Sequence, residues 1–366
     1  MSKSRVLLSS LIVLTALVAA PGHSSARPVL DSAFGKGGRV VSNLAFTPSR
    51  AGYPIVASPL ANGKVLLYQV KESGFSANVF KLNSDGTPDG TFGNGGRLTT
   101  DLTDGLTLLP GGKFLVRGQI DIYGETGEGG DAVVRRYNED GTVDPEFGNS
   151  GSARITLWGR NEPRTLTVLD DGSYLIQTSA SCGGWKNYCG EGDMDSTYFI
   201  RIDRGGNVDD RRVAMPGAWG DPVQAPDGTI WALGRTETLF FGPVPQSLVK
   251  VRTDLTVEKV RQFGENELGS LEILNRPGGG FLIVKGYNPV TVSALTAAGA
   301  DDPSFVSAVP NDCAIPSEVS GYGQRLPVIQ NDSQGRILVR GNKCDLYRLL
   351  PDGGLDASFG NGGVAD

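Results

Sequence analysis

One short stretch recurs along this chain and constrains the possible fold more than any other feature of the sequence. Its last copy reads Leu350-Pro-Asp-Gly-Gly-Leu-Asp356-Ala-Ser-Phe359-Gly-Asn-Gly-Gly363, and the same offset of three residues joins Asp89 to Phe92 and Asp144 to Phe147. Asp-Gly and Gly-Asn-Gly-Gly form turns readily, because glycine adopts positive φ without steric cost and aspartate bonds to the backbone just downstream. The phenylalanine between two turns predicts an apolar plug in a seam between structural units. A repeated ligand-binding loop is the alternative interpretation.

Further copies extend the series over the whole chain. The remaining copies, complete or eroded, are Asp31 with Phe34, Val208-Asp209, Val257-Glu258, and Asp302 with Phe305. Acidic markers that recur at intervals of roughly 50 residues predict a repeat architecture. The pattern Asp-Gly-x-x-Asp-x-x-Phe-Gly-x-Gly-Gly resembles the delta-60 repeat, a tandem repeat of bacterial exported proteins, over nearly all of residues 28–363. The resemblance implies a repetitive β fold, a propeller, and no established activity.

The segments between motifs repeat one order of short apolar runs and turns. In the second interval the runs are Gly96-Arg-Leu-Thr-Thr100, Leu106-Thr-Leu-Leu109, Phe114-Leu-Val-Arg117 and Ala132-Val-Val-Arg-Arg-Tyr137. Runs this short, bounded by turn formers, indicate strands rather than helices. Four strands in a unit of about 50 residues is the composition of a propeller blade. Seven motif copies enclose six intervals, which predicts an all-β, six-bladed β-propeller of four-stranded antiparallel blades; a β-solenoid and a seven-bladed ring are the alternatives.

The two ends of the chain carry the same motif, which suggests how the ring closes. After Phe359 only Val364-Ala-Asp366 could form a strand, whereas the N-terminal copy is followed by Arg39-Val-Val-Ser-Asn-Leu44, which has no blade before it. An unpaired sheet edge invites aggregation. We therefore expect residues 38–44 to supply the fourth strand of the sixth blade.

Strand parity assigns the connections to two faces. If the strands of a blade are A to D, the A–B turns and the motif-bearing C–D turns share one face, the motif face; the B–C and D–A loops share the other, the loop face. Function on a rigid scaffold usually resides in irregular loops, and exposed aromatic and acidic side chains suit a carbohydrate, peptide or Ca²⁺ site. The alternative is that acidic loops only keep an exported protein soluble. The candidate ligand-binding residues are Trp158, Glu162, Trp185, Asp193, Trp219 and Asp221.

The first 26 residues are typical of a secretory signal. Lys3 and Arg5 precede an apolar run from Val6 to Ala20, and the small residues of Ser24-Ser25-Ala26 suit cleavage. We therefore expect an exported protein, periplasmic or extracellular, in which residues 27–366 form a single propeller domain. No second apolar stretch suggests a membrane span, and a formal net charge of −6 argues against a nucleic-acid surface.

Cleavage of that signal would remove His23, the only histidine. Ser-His-Asp and Cys-His catalysis and histidine-ligated metals would then be excluded. The favoured function is non-catalytic binding of an unknown protein or glycan ligand by a monomer. Paired carboxylates around the central channel need no histidine, so an enzyme of the glycan hydrolase or lyase type is the alternative.

The chain has four cysteines, an even number in a chain expected to be exported. Cys182 and Cys189 lie in one long B–C loop, Cys313 and Cys344 lie in the last interval, and neither pair has the Cys-x-x-Cys spacing of a zinc or redox site. Two disulfides, 182–189 and 313–344, are therefore predicted. No cofactor is predicted; Ca²⁺ stays open because Asn83-Ser-Asp-Gly-Thr-Pro-Asp89 is distantly similar to a calcium loop.

Overall fold

The short apolar runs of the sequence form six separate antiparallel sheets. We describe them from a computed structural model, which covers residues 55–60, 62–120, 130–157, 160–181, 196–216, 219–235, 246–252, 254–264, 267–276, 278–286, 291–309, 329–332, 335–340 and 346–365. Across these residues the one helical segment is a 3-10 turn at Pro110–Gly112, and no helix is long and apolar enough to cross a membrane. The predicted all-β, six-bladed propeller of four-stranded antiparallel sheets is confirmed.

The first three blades each contain four described strands that are consecutive in the chain and neighbours in the sheet. Blade 1 consists of β1 (Val56–Pro59), β2 (Val65–Val70), β3 (Ala77–Leu82) and β4 (Arg97–Thr100). Blade 2 consists of β5 (Gly105–Leu108), β6 (Phe114–Ile120), β7 (Asp131–Tyr137) and β8 (Ser152–Ile155). Blade 3 consists of β9 (Arg160–Val168), β10 (Tyr174–Ser181), β11 (Ser196–Ile202) and β12 (Val208–Pro216).

The last three blades follow the same order, and the fifth has three described strands. Blade 4 consists of β13 (Val223–Gln224), β14 (Ile230–Arg235), β15 (Gln246–Val251) and β16 (Val257–Phe263). Blade 5 consists of β17 (Leu268–Asn275), β18 (Phe281–Lys285) and β19 (Thr291–Leu295). Blade 6 consists of β20 (Ile329–Asn331), β21 (Ile337–Arg340), β22 (Leu346–Leu349) and β23 (Val364–Ala365).

The hydrophobic core lies between blades, because successive side chains of a strand point to opposite faces of its sheet. In β6, Phe114 and Val116 pack in the cluster shared with blade 1, whereas Leu115 packs in the cluster shared with blade 3. Further clusters join blades 3 and 4, blades 4 and 5, and blades 5 and 6. With both faces covered, a strand such as β2 is buried along its whole length, which explains why the sequence shows continuous apolar runs instead of strict alternation.

Ion pairs confirm that the A–B turns and the motif turns share one face. Lys64, in the turn before β2, places its Nζ 2.9 Å from Oδ2 of Asp89. In blade 2, Lys113 lies 2.6 Å from the equivalent oxygen of Asp144. The motif face is thus tied together within each of these blades by a cation from one turn and a carboxylate from the other.

The sixth blade obtains its fourth strand from the C-terminal residues. β23 pairs with β22 through Ala365 opposite Leu346 and Val364 opposite Tyr347, and the N–H of Arg348 donates to the carbonyl of Gly363 (2.9 Å). From the sequence we expect residues 38–44 to form this fourth strand, but those residues lie outside the described ones. The correction is that the short C-terminal strand itself pairs with β22, because the motif turn returns the chain directly alongside it.

Candidate functional site

Each described complete motif is built around an aspartate whose two carboxylate oxygens accept from different groups. Oδ1 of Asp89 caps its turn by accepting from N and Oγ1 of Thr91 (3.1 and 2.6 Å). Oδ1 of Asp356 accepts from Ser358 in the same way (3.0 and 2.6 Å). The hydrogen bonds from Thr91 and then from Lys64 hold the pKa of Asp89 well below its usual range.

The phenylalanine of each described motif is a plug with a cation over its ring. Phe92 and Phe147 are both 0% exposed. Asp31 and Phe34 lie outside the described residues. The cation-to-centroid distances are 5.9 Å for Lys81 over Phe92, 4.7 Å for Arg136 over Phe147, 5.3 Å for Arg276 over Phe305, and 4.5 Å for Arg348 over Phe359. The carboxylates and rings of these four motifs are therefore engaged within the protein.

The residue after three of the four described plugs also joins its blade to the next one. The N–H of Gly93 donates to the carbonyl of Asp140 in the blade 2 turn (2.7 Å). Gly141 of that turn has φ +84°, and a Cβ on it would lie 3.0 Å from Cε2 of Phe92, so the turn requires glycine for both reasons. Equivalent backbone bonds join Gly148 to Gly205 (2.7 Å) and Val306 to Asp352 (3.0 Å).

Three of the predicted ligand-binding residues, Trp158, Trp185 and Asp193, lie outside the described residues. The same holds for Cys182, Cys189, Cys313 and Cys344. The two disulfides therefore stay predictions, and the described part of the loop face is tested through Glu162, Trp219 and Asp221.

Trp219 is a packed residue and presents little surface to a ligand. Its side chain is 8% exposed, and its backbone forms a bridge to Gly234. A Cβ on Gly234 would lie 2.1 Å from Cδ2 of the indole, so the ring occupies the space that this glycine leaves. Glu162 is half-buried and forms an ion pair with Arg164 (2.7 Å).

Asp221 stands on the innermost edge of blade 4, in the segment that leads into β13. Its side chain is exposed to water, yet burial among surrounding protein atoms raises its pKa, and the charge of Arg117 opposes that shift. An accessible carboxyl group with protein on most sides is what the wall of a water-filled channel provides, and a propeller has such a channel between its innermost strands.

Arg117 extends from β6 towards the same channel wall. Its Nη2 donates to the carbonyl of Arg164 in β9 (2.9 Å), and its Nε is buried without a hydrogen-bond partner among the described residues. Burial lowers the pKa of Arg117, while the charges of Asp221 and Asp104 act to raise it. Asp104 immediately precedes β5, and its N–H donates to the carbonyl of Arg117 (2.9 Å). We call Asp104, Arg117 and Asp221 the channel triad.

Hydrogen bonds between neighbouring innermost strands fix the wall on which the triad stands. Oγ1 of Thr167 in β9 donates to the carbonyl of Pro222 (3.1 Å). Nδ2 of Asn275 in β17 donates to the carbonyl of Gln224 in β13 (2.6 Å), and Nδ2 of Asn331 in β20 donates to the carbonyl of Asn275 (2.7 Å). The blades are therefore joined side by side around the channel, so Asp221 is carried on a rigid element.

The triad offers both signs of charge to a ligand. The guanidinium of Arg117 provides donors, and the carboxylates of Asp104 and Asp221 provide acceptors.

Groups of three or more potential metal ligands do not occur within the described ranges. In residues 83–89, the segment that is distantly similar to a calcium loop, Oδ1 of Asp85 accepts hydrogen bonds from N and Oγ1 of Thr87 (2.9 and 2.6 Å). The ammonium group of Lys64 faces Asp89.

Sequence reasoning found Asp221 but missed Arg117 and Asp104. A signal for Arg117 was available in the run Phe114-Leu-Val-Arg117, because the two-residue period puts Arg117 on the same side as the buried Leu115. A cation on a core-facing side of a strand indicates either a buried ion pair or a site. Asp104 carries no comparable signal, since its position beside Arg117 depends on the pairing of β5 with β6.

Solved structures with a similar fold include three peptidases. They are a Mycobacterium tuberculosis puromycin-hydrolyzing peptidase (12% identity, TM-score 0.48), a Pyrococcus horikoshii acylaminoacyl peptidase (12%, 0.46) and prolyl oligopeptidase B from Galerina marginata (9%, 0.46). The matches cover 82%, 81% and 80% of this chain but only 45%, 44% and 39% of those chains. This chain therefore spans less than half the length of each, and no functional conclusion follows from the likeness.

No curated protein matches the sequence. A protein-family profile described as "Domain of unknown function (DUF5122) beta-propeller" matches residues 118–147, which run from the end of β6 through β7 to the plug Phe147. The matched segment thus contains β7 and the motif that follows it as far as Phe147. Together with the six sheets, this match identifies the chain as a repeat protein of the β-propeller fold.

Proposed function

We propose that this is an exported, non-catalytic β-propeller of the delta-60 repeat type that binds a protein or glycan of the cell envelope or extracellular space through its loop face. The observation that carries the proposal is the channel triad. Arg117 has a buried Nε without a described partner, and the exposed carboxyl group of Asp221 interacts with the charge of Arg117. In the complete motifs, by contrast, the aspartates and rings on the motif face are engaged by other groups of the protein.

The triad suits a polar ligand of low net charge. Hydroxyl and amide groups both donate and accept, so they can use an arginine and two carboxylates at once. Such converging polar groups on a rigid wall are the usual way in which a pocket fixes the orientation of its ligand. A sugar or a peptide backbone satisfies this requirement.

A glycan and peptide array probed with the full chain tests the proposal. We expect a defined class of ligands to bind, and Asp221→Asn to weaken that binding at least tenfold. Glu146→Gln provides a matched control, since it removes an exposed carboxylate from the motif face. A silent array, or equal binding by the wild type and Asp221→Asn, would contradict the proposal.

The raised pKa of Asp221 favours one second candidate, a glycan hydrolase or lyase. A general acid must hold its proton near neutral pH, and burial of a carboxyl group is how glycosidases achieve this. Asp221 would then be the acid and Asp104 the base or nucleophile. Time-dependent release of new sugar ends, lost in both Asp221→Asn and Asp104→Asn while binding persists, would favour the enzyme over the binding protein.

The exported location rests on residues 1–26 and on the cysteine pattern. Mass spectrometry of the unreduced, exported protein should show an N-terminus at Arg27. It should also show Cys182 linked to Cys189 and Cys313 linked to Cys344. Free thiols or a 182–344 link would contradict the predicted pairing.

A further inference from the structure

The motif turn of blade 3, between β11 and β12, carries an arginine where the turn of blade 2 carries a glutamate. Arg204 and Glu139 each stand five residues before the acidic marker of their turn, and these markers are Asp209 and Asp144. In blade 2, the carboxylate of Glu139 reaches back to blade 1 and forms an ion pair with Lys81 (3.1 Å). Blade 3 therefore presents a positive charge at a position that holds a negative charge in the preceding blade.

Arg204 has no carboxylate partner among the described residues. Its Nη2 donates to the backbone carbonyl of Asp171 in the A–B turn of the same blade (3.1 Å). Its own carbonyl accepts from Nη1 of Arg136 in blade 2 (2.8 Å). Because the residue is exposed to water, its charge is neither buried nor neutralised by contact. The turn thus keeps a cation that no ion pair of the described fold requires.

Two further arginines of blade 3 use only some of their hydrogen-bond donors within the protein. Arg211 bonds to Oδ2 of Asp209 through Nε and Nη2 (3.1 and 2.6 Å). Arg201, on β11, bonds to Asp171 through Nη2 and to Oγ of Ser173 through Nε (3.1 Å). In neither arginine does Nη1 donate to a described residue. The N–H groups of each Nη1 are therefore left for a ligand.

The carboxylates near these arginines are occupied by donors of the protein itself. Oδ1 of Asp171 accepts from N and Oγ of Ser173 (2.9 and 2.6 Å). The two oxygens of Asp203 accept from N and Nδ2 of Asn207 (2.8 and 2.7 Å). Both oxygens of Asp209 accept from its arginine partner. What this group of side chains offers to a ligand is consequently N–H donors rather than acceptors.

The three arginines line one cleft on the motif face. Its volume is about 410 Å³, within the range of ligand pockets, about 300–1,000 Å³. The side chain of Arg211 is 61% exposed and that of Arg201 is 25% exposed, so a ligand reaches both from solvent. Hydrogen bonds from Arg211 lower the pKa of Asp209 to about 2, and the charge of Arg201 acts in the same direction. Both guanidinium groups therefore lie near one carboxylate, at the same part of the cleft.

We propose that this surface, the arginine cleft, binds a phosphate monoester carried by a sugar or by a lipid headgroup. The Nη1 groups of Arg201 and Arg211 and the guanidinium of Arg204 donate to the phosphate oxygens. A phosphate monoester has three terminal oxygens, one for each arginine, whereas a carboxylate has two. Three arginines also offset the three aspartates of the cleft, although the chain as a whole is acidic. The site lies on the motif face and is independent of the loop-face function proposed above.

The test is calorimetric titration of the full chain with inorganic phosphate at low ionic strength, because salt screens exposed charges. We expect saturable binding at one site and about tenfold or more weaker binding of acetate. Arg204→Glu gives blade 3 the side chain that blade 2 has at this position and brings a carboxylate towards Arg136, so the variant should be at least as stable as the wild type. It should bind phosphate about tenfold or more weakly than the wild type, because an anion replaces the cation.

Matched variants distinguish the cleft from non-specific attraction of anions. Arg212→Gln removes an exposed arginine that does not line the cleft, and it should leave the affinity for phosphate unchanged. Asp221→Asn should also leave it unchanged, which separates this site from the channel triad. Melting curves establish that each variant is folded.

Two further probes identify the carrier of the phosphate. A sugar ligand is indicated if glucose 6-phosphate binds more tightly than inorganic phosphate. A lipid ligand is indicated if the chain sediments with vesicles that contain phosphatidic acid and Arg204→Glu does not. Absence of saturable phosphate binding, failure of both carriers to bind, or equal phosphate affinities of the wild type and folded Arg204→Glu would overturn the proposal.

Discussion

The seam between blades 1 and 2 and the seam between blades 3 and 4 solve one packing problem from opposite sides. In the first, Phe92 reaches forward beneath Gly141 of the next turn. In the second, the motif turn of the preceding blade supplies no ring, and Leu255 of the following turn reaches back. The comparison teaches that the repeat preserves an apolar group in the seam, while the blade that donates it can change.

The seam between blades 4 and 5 provides a third solution. Its turn retains glycine at Gly299, where a Cβ would lie 3.0 Å from Leu248 and 3.3 Å from Trp231. The marker of the motif in blade 4 is Val257-Glu258, and arginine (Arg261) instead of phenylalanine stands three residues after Glu258. Trp231 is 3% exposed. A large side chain on the second strand therefore substitutes for the missing plug.

Removing a plug should have the largest effect on stability. Phe92→Ala and Phe147→Ala should each lower the free energy of unfolding by about 3–5 kcal/mol, because each leaves a buried cavity the size of a ring. Arg212→Ala is the matched control in blade 3, since it stands three residues after the marker Asp209 but is exposed; its effect should stay within about 0.5 kcal/mol. Equilibrium denaturation measures both. A plug variant that unfolds like the wild type would show that the rings do not hold the seams.

Neutralising the carboxylate of a motif aspartate should have the next largest effect on the free energy of unfolding. Asp144 is 2% exposed and accepts from Lys113 (2.6 Å) and from Nε of Arg136 (2.7 Å). Asp144→Asn leaves two cations facing a neutral amide, which should lower the free energy of unfolding by about 2–3 kcal/mol. Asp209→Asn in blade 3 should change it little, because the pair of Asp209 with Arg211 lies at the surface. Equal losses of unfolding free energy in both variants would show that the buried carboxylate of Asp144 stabilises the protein no more than the surface carboxylate of Asp209.

The same carboxylates make stability depend on acid pH. Burial acts to raise the pKa of Asp144, but hydrogen bonds from Lys113, Glu146 and Arg136 lower it below its ordinary value. A carboxyl group with a lower pKa in the folded state binds more protons when unfolded, so its contribution is complete above about pH 4 and is lost as pH falls through the folded-state pKa. Denaturation between pH 7 and pH 2 should show this loss, and the curve of Asp144→Asn should be flatter below pH 4. Parallel curves would exclude Asp144 as a source of the acid dependence.

Local chemistry explains why much of the fold could be predicted from the sequence. The Asp-Gly turns, the buried Phe92 and Phe147, and the shared face of the A–B and motif turns all follow from residues close together in the chain. The channel triad could not be predicted in full, because Arg117 meets Asp221 only after three blades have packed side by side. Trp219 was expected on the surface since Trp-Gly-Asp is a loop-like sequence, but Gly234 in β14 leaves the space that the indole fills.

The smallest predicted difference concerns the backbone of Leu255. Leu255→Ala removes the buried side chain and keeps a residue with a Cβ at φ +65°, whereas Leu255→Gly removes the side chain and the steric conflict together. Both variants should be less stable than the wild type by about 2–5 kcal/mol because the seam loses its apolar group. The glycine variant should be the more stable of the two by about 1 kcal/mol, since only a residue with a Cβ is strained in the left-handed region. Gly141→Ala is the reciprocal change, and it introduces both the strain and a contact of 3.0 Å with Phe92. Equilibrium denaturation of the three variants measures these differences. An alanine variant at least as stable as the glycine variant would show that the backbone at Leu255 is not strained. The blade 4 turn would then have no higher conformational energy than the turns that have glycine at this position.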